Sequence, residues 1–566
     1  MTLGSIAKQL LMRRGGEVRN ELTTAFAWLC FVTAAVAMPA AAEATPRPMV
    51  QDTVRAAYSS LARPGAAQPT SKRDARTVGI DTSRTAVSFA SPFLPPGHWA
   101  YGAARRLEAL GLAPEGFGGG TRPRTERELA QLFDQAELQA ELQAPELAPL
   151  VRGYRLRFLD EFPRTSWAVT RGEAVAGWEL LGGRARAGYE RHRGRVETGI
   201  GYDPETDWTG TRPRPDRRES MSSITANAVF APYLALSVTP ANRGGRWELD
   251  AGHVVANRGP LGLWLGRRSV GFHPGIGGGI VLTESRAFDG GGIFLDSPVH
   301  LPWILRHLGP FRLDFLLTRI ENGDRVRRPW FGVLHATVQP HPRLELGMAR
   351  GDIFAGDGNT PITLRSMAKM IFGFHAGEQG EFNNEVFSVY VRARSALSGV
   401  PVVVYLDWGM DDSAGAWFNV PARVIGVEVP ALPGIPALAV GAERTSFAPA
   451  CCDNTIWYRN WSLRGGWTAS GQPLGHPLAG QGEEWLVYTR ADLFQANLNL
   501  DLRLFTRERG SENLLAPERT GRSRGGRVAL EGRLGGALSF FFHGALEKGA
   551  AGWREDSLGV GLQVVF

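Results

Sequence analysis

Arginines and aromatic side chains, rather than nucleophiles, occupy the positions of this 566-residue chain that could do chemistry. Arg267 and Arg268 stand just before a glycine run, Arg286 just after it, and Arg459 lies between Tyr458 and Asn460. Arg519, Arg522, Arg524 and Arg527 form a further group near the carboxy terminus. A guanidinium presents a rigid fork of donors and can grip a carboxylate through two hydrogen bonds. Trp457, Tyr458 and Trp461 offer flat faces that could stack on a sugar ring, although the commoner place for such residues is an interface girdle. For the 519–527 group the commoner role is pairing with acids of neighbouring segments or touching anionic lipid.

Catalytic and metal patterns are weak by comparison. His273, His300, His307, His375 and His476 show no H-x-x-x-H spacing, which leaves zinc unsupported. Gly275-Ile276-Gly277-Gly278-Gly279 is not followed by a helix pattern or a ribose-binding acid, so it is no dinucleotide fingerprint. Asp407, Asp411 and Asp412 precede Gly415 but lack the twelfth-position glutamate of a calcium loop and read as a surface turn. A Ser-His-acid set meets only in space and is not legible in one sequence. Cys451 and Cys452 are adjacent, and with Cys30 they provide no spaced pair to staple a fold. The expectation is a protein that binds rather than catalyses, with no catalytic residues, no metal and no cofactor.

The elements that must position these residues alternate with period two. Asn497-Leu498-Asn499-Leu500-Asp501-Leu502-Arg503-Leu504 puts leucines on one face and Asn, Asp and Arg on the other. Ser388–Arg394, Leu344–Met348 and Val528–Leu534 alternate likewise, and Arg184-Ala185-Arg186-Ala187 sets two arginines on one side. The final stretch places Leu558, Val560, Leu562, Val564 and Phe566 on one face, against glycines and Gln563 on the other. Such strands, sustained from about Arg164 onward, suit a barrel with an apolar outside and a polar lumen. At about 20–25 residues per strand and its turns, the region yields roughly 16–20 strands. A composition with 70 Gly, 16 Trp and 28 Phe fits turns, crowded interiors and aromatic girdles.

Upstream, Arg13, Arg14 and Arg19 precede an apolar stretch from Ala25 to Met38 and small residues at Ala40–Ala42 and Ala44. This is a signal-peptide layout, too short for a helical span of ~20 residues. Residues 1–42 are expected to be that signal, and 43–97 a flexible linker. Residues 98–163 are expected to form a helical bundle. Tyr101, Ala104, Leu107 and Leu110 recur at helical spacing, with Gly111 as the stop. Thr125 with Glu128 three residues on reads as a capping box for a second helix, and a third covers about Pro145 to Phe158. The barrel is expected over 164–566. The formal net charge of +7 hints at an acidic partner, and an exported chain does not meet nucleic acid.

The segment Trp457-Tyr458-Arg459-Asn460-Trp461, then Gly466-Trp467-Thr468 and Gln472–Gly482, resembles the Wzi family of capsule-assembly outer-membrane proteins. Gly441–Phe447 and the run Gly271–Gly279 with Leu282-Thr283 fit the same pattern, and the likeness covers roughly residues 90–566. It implies an all-β transmembrane barrel of about 18 antiparallel strands, preceded by a small periplasmic α-helical bundle, with the lumen blocked by folded-in segments. It implies a lectin-like role in attaching or organising exported capsular or extracellular polysaccharide. On that reading Arg267, Arg268, His273, Arg286, Trp457, Tyr458, Arg459 and His476 are the candidate polysaccharide contacts. The expected partners are an acidic capsular or extracellular polysaccharide, outer-membrane lipid and lipopolysaccharide, and periplasmic export machinery. A porin or substrate-specific channel is the alternative, which leaves the helices and the 457–482 motif unexplained. An outer-membrane hydrolase stands third.

Overall fold

The computed structural model describes residues 89–566 apart from 175–176, 194–216, 231, 284–286, 321–325, 360–362, 364–383, 412–420, 448–456, 461–462, 464, 470–471 and 516–518. The expected signal segment, most of the expected linker, Arg286, Asp412, Cys451, Cys452 and Trp461 lie outside the described residues.

The period-two segments form β1 (Trp178–Arg193), β2 (Arg217–Phe230), β3 (Leu234–Arg243), β4 (Arg246–Arg258), β5 (Leu261–Arg268), β6 (Phe288–Leu295), β7 (Pro310–Arg319), β8 (Trp330–His341) and β9 (Leu344–Phe354). They continue as β10 (Asn384–Leu397), β11 (Val400–Asp411), β12 (Ala422–Val429), β13 (Leu438–Phe447), β14 (Gly482–Leu493), β15 (Leu498–Arg509), β16 (Gly521–Gly535), β17 (Leu538–Gly549) and β18 (Arg554–Val565). Each strand pairs antiparallel with the next. The circle closes where β18 pairs with β1, Arg184 standing opposite Val565 and Tyr189 opposite Val560. An eighteen-stranded closed barrel is therefore what the strand period and the family likeness lead one to expect, and closure leaves no strand edge unpaired in hydrocarbon.

Side-chain parity sorts the two faces. Leu261, Leu263 and Leu265 are 48, 49 and 70 % exposed, while Trp264 between them is buried. On β18, Val560, Leu562, Val564 and Phe566 face out and Gln563 faces in. Exposed leucines on a wall of this length have a place only where the surroundings are lipid, since each buried apolar side chain gains about 1.5–3 kcal/mol by leaving water. Trp178 and Tyr233 lie exposed at one end of the outer face, and Trp247 and Trp485 toward the other, as interface aromatics do.

The connections differ between the ends. Those at 230–234, 258–261, 341–344, 397–400 and 535–538 are tight, whereas 268–288, 447–482 and 509–521 are long. The helices pack toward the tight-turn end. They are α1 (Trp99–Ala109), α2 (Glu126–Gln143), α3 (Ala148–Glu161) and α4 (Pro163–Arg171). Gly111, at φ +78°, follows the end of α1 as expected. Thr125 caps α2 by accepting from the Glu128 N–H at 3.2 Å. Trp99, Phe133, Tyr154 and Phe158 form the aromatic centre of the bundle, with Trp99 and Phe133 stacked at 5.8 Å.

The boundary expected at Arg164 is corrected by α4. Pro163 stands in the first turn of that helix, where its missing N–H costs nothing, and Gly172 in the left-handed region ends it. Strand structure begins at Trp178.

Candidate functional site

The long loops fold inward. Gly275–Gly279 lie against the barrel wall at Glu443 of β13, whose carboxylate accepts from the backbone N–H of Ile276 at 2.8 Å and of Gly277 at 3.1 Å. The glycines permit this approach: a Cβ on Gly277 would sit 2.5 Å from the Glu443 Oε1, and one on Gly279 would sit 2.7 Å from the His273 Cβ. The run is a backbone nest for an anion, and the anion is the protein's own carboxylate. Thr283 donates its N–H to Leu474, which ties this loop to the next.

Trp457, Tyr458 and Trp467 fill the lumen beside it at no more than 1 % exposure. Tyr458 donates its hydroxyl to the Ile280 carbonyl at 2.5 Å and accepts from the His476 N–H at 3.1 Å. Trp467 donates its ring N–H to Val281 at 2.8 Å. Arg459 reaches the third loop, donating to the Glu512 carbonyl at 2.9 Å and the Asn513 carbonyl at 3.0 Å. Three loops thus lace into one plug.

From the other end the helical bundle enters on arginine–carboxylate pairs. Arg106 of α1 holds Asp492 of β14 at 2.8 Å, and Arg157 of α3 holds Glu531 of β16 at 2.5 Å. Glu108 takes Arg392 of β10 at 2.9 Å. Glu128 takes Arg122, Arg124 at 3.0 Å and Arg312 of β7 at 3.3 Å. The glutamate of the expected capping box thus serves two arginines of the segment before α2 and one of the wall. Burial alone would raise the Glu128 acid, but Arg122, Arg312 and Arg124 hold it down at about 2. Glu126, buried without such partners, is pushed up to about 7. Bundle and plug meet inside the barrel. Arg105 bridges Glu428 of β12 at 3.1 Å and the Gly275 carbonyl at 2.9 Å, and Thr121 exchanges backbone hydrogen bonds with His273 at 2.7 and 3.2 Å.

The candidate contacts scatter accordingly. Arg268 points into the lumen, while Arg267, one residue earlier, lies on the outer face paired with Asp289 at 2.8 Å. His273 is buried, its Nδ1 3.0 Å from the Gly275 carbonyl, and burial followed by Arg105 lowers it to about 3. Trp457 and Tyr458 are neither girdle residues nor surface stacking platforms, because the loop that carries them turns into the lumen. Arg459 is part-exposed but committed to the neighbouring loop. Arg286 lies outside the described residues.

His476 is a buried turn residue, its carbonyl accepting from the Ala479 N–H at 2.8 Å. It stands with Glu443 and Glu484, their ligand atoms within 4.8 Å of one another. This group does not fit a cation. The His476 Nδ1 accepts from the Leu478 N–H at 3.2 Å, so its Nε2 carries the proton and faces Thr445 at 3.2 Å. Glu443 is taken by the glycine run and by Tyr405 at 2.7 Å, and Glu484 by Arg507. Burial, then Arg507 and Arg509, hold the imidazole far below its usual range.

A cavity lies beside the plug, with a volume of ≈ 180 Å³. Arg184, Arg186, Arg268, Arg527, His98 and His253 contribute its basic lining. Sequence reasoning found Arg268 and Arg527 but passed over His253, and it noted Arg184 and Arg186 only as alternation. Strand parity held the signal: outward Leu261, Leu263 and Leu265 require Arg267 out and Arg268 in.

A closed barrel with an apolar outer belt and a lumen filled from both ends is a plugged outer-membrane β-barrel. The family model of capsule assembly protein Wzi matches residues 184–550, and the chain belongs to that family. Among solved structures it is similar to Wzi of Escherichia coli, described as an outer-membrane protein involved in group 1 capsule assembly and a carbohydrate-binding β-barrel. That likeness has 15% identity and a TM-score of 0.62, covering 84% of this chain and 99% of that one. Two Pseudomonas aeruginosa structures, OccK11 (OpdR) and OccK5 (OpdH), match at 11% and 10% identity with TM-scores of 0.41 and 0.42, each over 69% of this chain and 98% of its own. Among curated proteins, none matches.

Proposed function

We propose that this protein holds exported capsular or extracellular polysaccharide at the cell surface, by non-covalent binding and without catalysis. The observation that carries the reading is a barrel of the capsule-assembly family whose long loops are laced into a plug at one end. A lumen packed with Trp457, Tyr458 and Trp467 suits retention better than passage. Short turns belong on the periplasmic side and long loops outside, which supports a plug facing the polymer and helices facing the periplasm, where export machinery would meet them. A repeating polymer needs only weak sites, because many linked contacts multiply into strong retention. The basic balance of the chain favours an acidic polymer, whose carboxylates an arginine can hold bidentately. Outer-surface arginines such as Arg522 are suited to lipopolysaccharide.

The test is binding of the host's purified surface polysaccharide to the full chain in detergent. Saturable binding that weakens with added salt supports the reading. Absence of binding to acidic and neutral polymers alike contradicts it.

A further inference from the structure

The cavity beside the plug gathers buried donors that the loops and helices do not satisfy. Arg268 is 6 % exposed, and its guanidinium lies 3.6 Å from the ring centre of Phe93 and 4.1 Å from that of Trp264. The two rings fix its plane by cation–π contact and leave its edges open. Its Nε and Nη1 are buried without a hydrogen-bond partner. His253 touches the same Phe93, its Nε2 accepting from the Phe93 N–H at 3.2 Å, so the proton sits on Nδ1, and that N–H is also buried without a partner. The Nε of Arg186 is a further buried donor of this kind. Buried donors in that state cost about 1–3 kcal/mol each until something accepts from them.

The acids lining the same space do not answer these donors. Asp250 is held by Arg243 at 2.8 and 2.9 Å, and Glu531 by Arg157 at 2.5 Å. Glu126 accepts from Thr165 at 3.1 Å and from Asn227 at 2.6 Å. Donors converge on the cavity while its carboxylates are already engaged, and the Oδ1 of Asn227 is a lining acceptor still without a partner. A water molecule needs about 10–15 Å³ of such space, so ≈ 180 Å³ is ample for a small oxyanion.

We propose that Arg268, His253 and Arg186 form an oxyanion site within the barrel, taking one carboxylate of a sugar acid or one phosphate group. The planar, ring-clamped fork of Arg268 suits either oxyanion, and a neutral sugar offers it nothing comparable. The inference rests on the polysaccharide reading for the source of the anion, while the donor geometry stands by itself.

Calorimetric titration of the full chain in detergent tests it, with glucuronate, inorganic phosphate and glucose as the three probes. Glucuronate should bind and glucose should not. Arg268→Gln should weaken glucuronate by about tenfold or more, and Arg186→Gln by a smaller factor. Phosphate binding as tightly as glucuronate, with the same loss in Arg268→Gln, supports the site and makes phosphate its source. Should Arg268→Gln not fold, Arg186→Gln decides: a weakened affinity supports the site and an unchanged one overturns it. Failure of both anions to bind overturns it as well. If purified surface polysaccharide still binds in that case, the retention reading stands alone; if the anions bind and the polymer does not, the reverse holds.

Discussion

Arg106 on the first helix and Asp492 on the barrel wall, 386 residues apart in sequence, form an ion pair at 2.8 Å with side-chain exposures of 1 and 0 %. The same guanidinium donates to the carbonyls of Pro430 at 2.8 Å, Ala437 at 3.0 Å and Pro436. One side chain therefore satisfies an acid and the exposed backbone of a wall turn. Asp492 also has Arg490 at 3.0 Å and Asn499 at 2.5 Å, so it is not stranded if Arg106 is lost, but the turn carbonyls are. Arg106→Met should cost about 1–3 kcal/mol of bundle docking for each carbonyl left buried and unpaired. The check is limited proteolysis of the detergent-folded protein: α1–α4 should be cut much faster in the variant while the barrel resists.

Gly277 leaves no room for a side chain against Glu443. Gly277→Val should push the glycine run off the wall and loosen the plug. In planar lipid bilayers the native protein should carry little or no current, and the variant should show frequent openings. Equal conductance from both would mean that the run does not seal the lumen.

Tyr458 and Arg459 are neighbours with opposite weight. Tyr458→Phe strands the Ile280 carbonyl and the His476 N–H in a dry interior, a loss of about 1–3 kcal/mol. Arg459→Ala removes contacts at a part-exposed position and should cost under about 1 kcal/mol. Thermal unfolding in detergent should rank the two in that order.

Bundle docking should depend on pH with two opposite slopes. Glu128 is held at about 2, below the usual 4.5, so its contribution is complete above about 4.5 and fades as pH falls toward 2. Glu126 is raised to about 7, so its burial becomes unfavourable as pH rises from 4.5 through 7. Protease resistance of the helices should peak near pH 4.5–5 and fall on either side. Glu128→Gln should shrink the acid limb, which Glu108 and Glu161 share, and Glu126→Gln should remove the neutral one.

The fold was legible because its cause is local. Leucines at 498, 500, 502 and 504 turn outward in β15 because side chains alternate along any strand, and Thr125 caps α2 with the atoms beside it. The site was legible only in part. Whether Arg268 meets an acid or a cavity depends on Trp264, on its own strand, and on Phe93, which reaches it from the distant segment before α1. Trp457 and Tyr458 have the composition of a girdle, and only the inward path of their loop makes them core. Glycines 275–279 were visible as a run, but the carboxylate they cradle lies more than 160 positions away.

The central claim is that this barrel keeps exported polysaccharide on the cell. Its most direct measurement is the split of that polymer between cells and medium after deletion of the gene in its own host, with the intact chain restored as the control. The account predicts that polymer made in normal amount moves to the medium on deletion and returns to the cells on restoration. An unchanged share on the cells after deletion contradicts it.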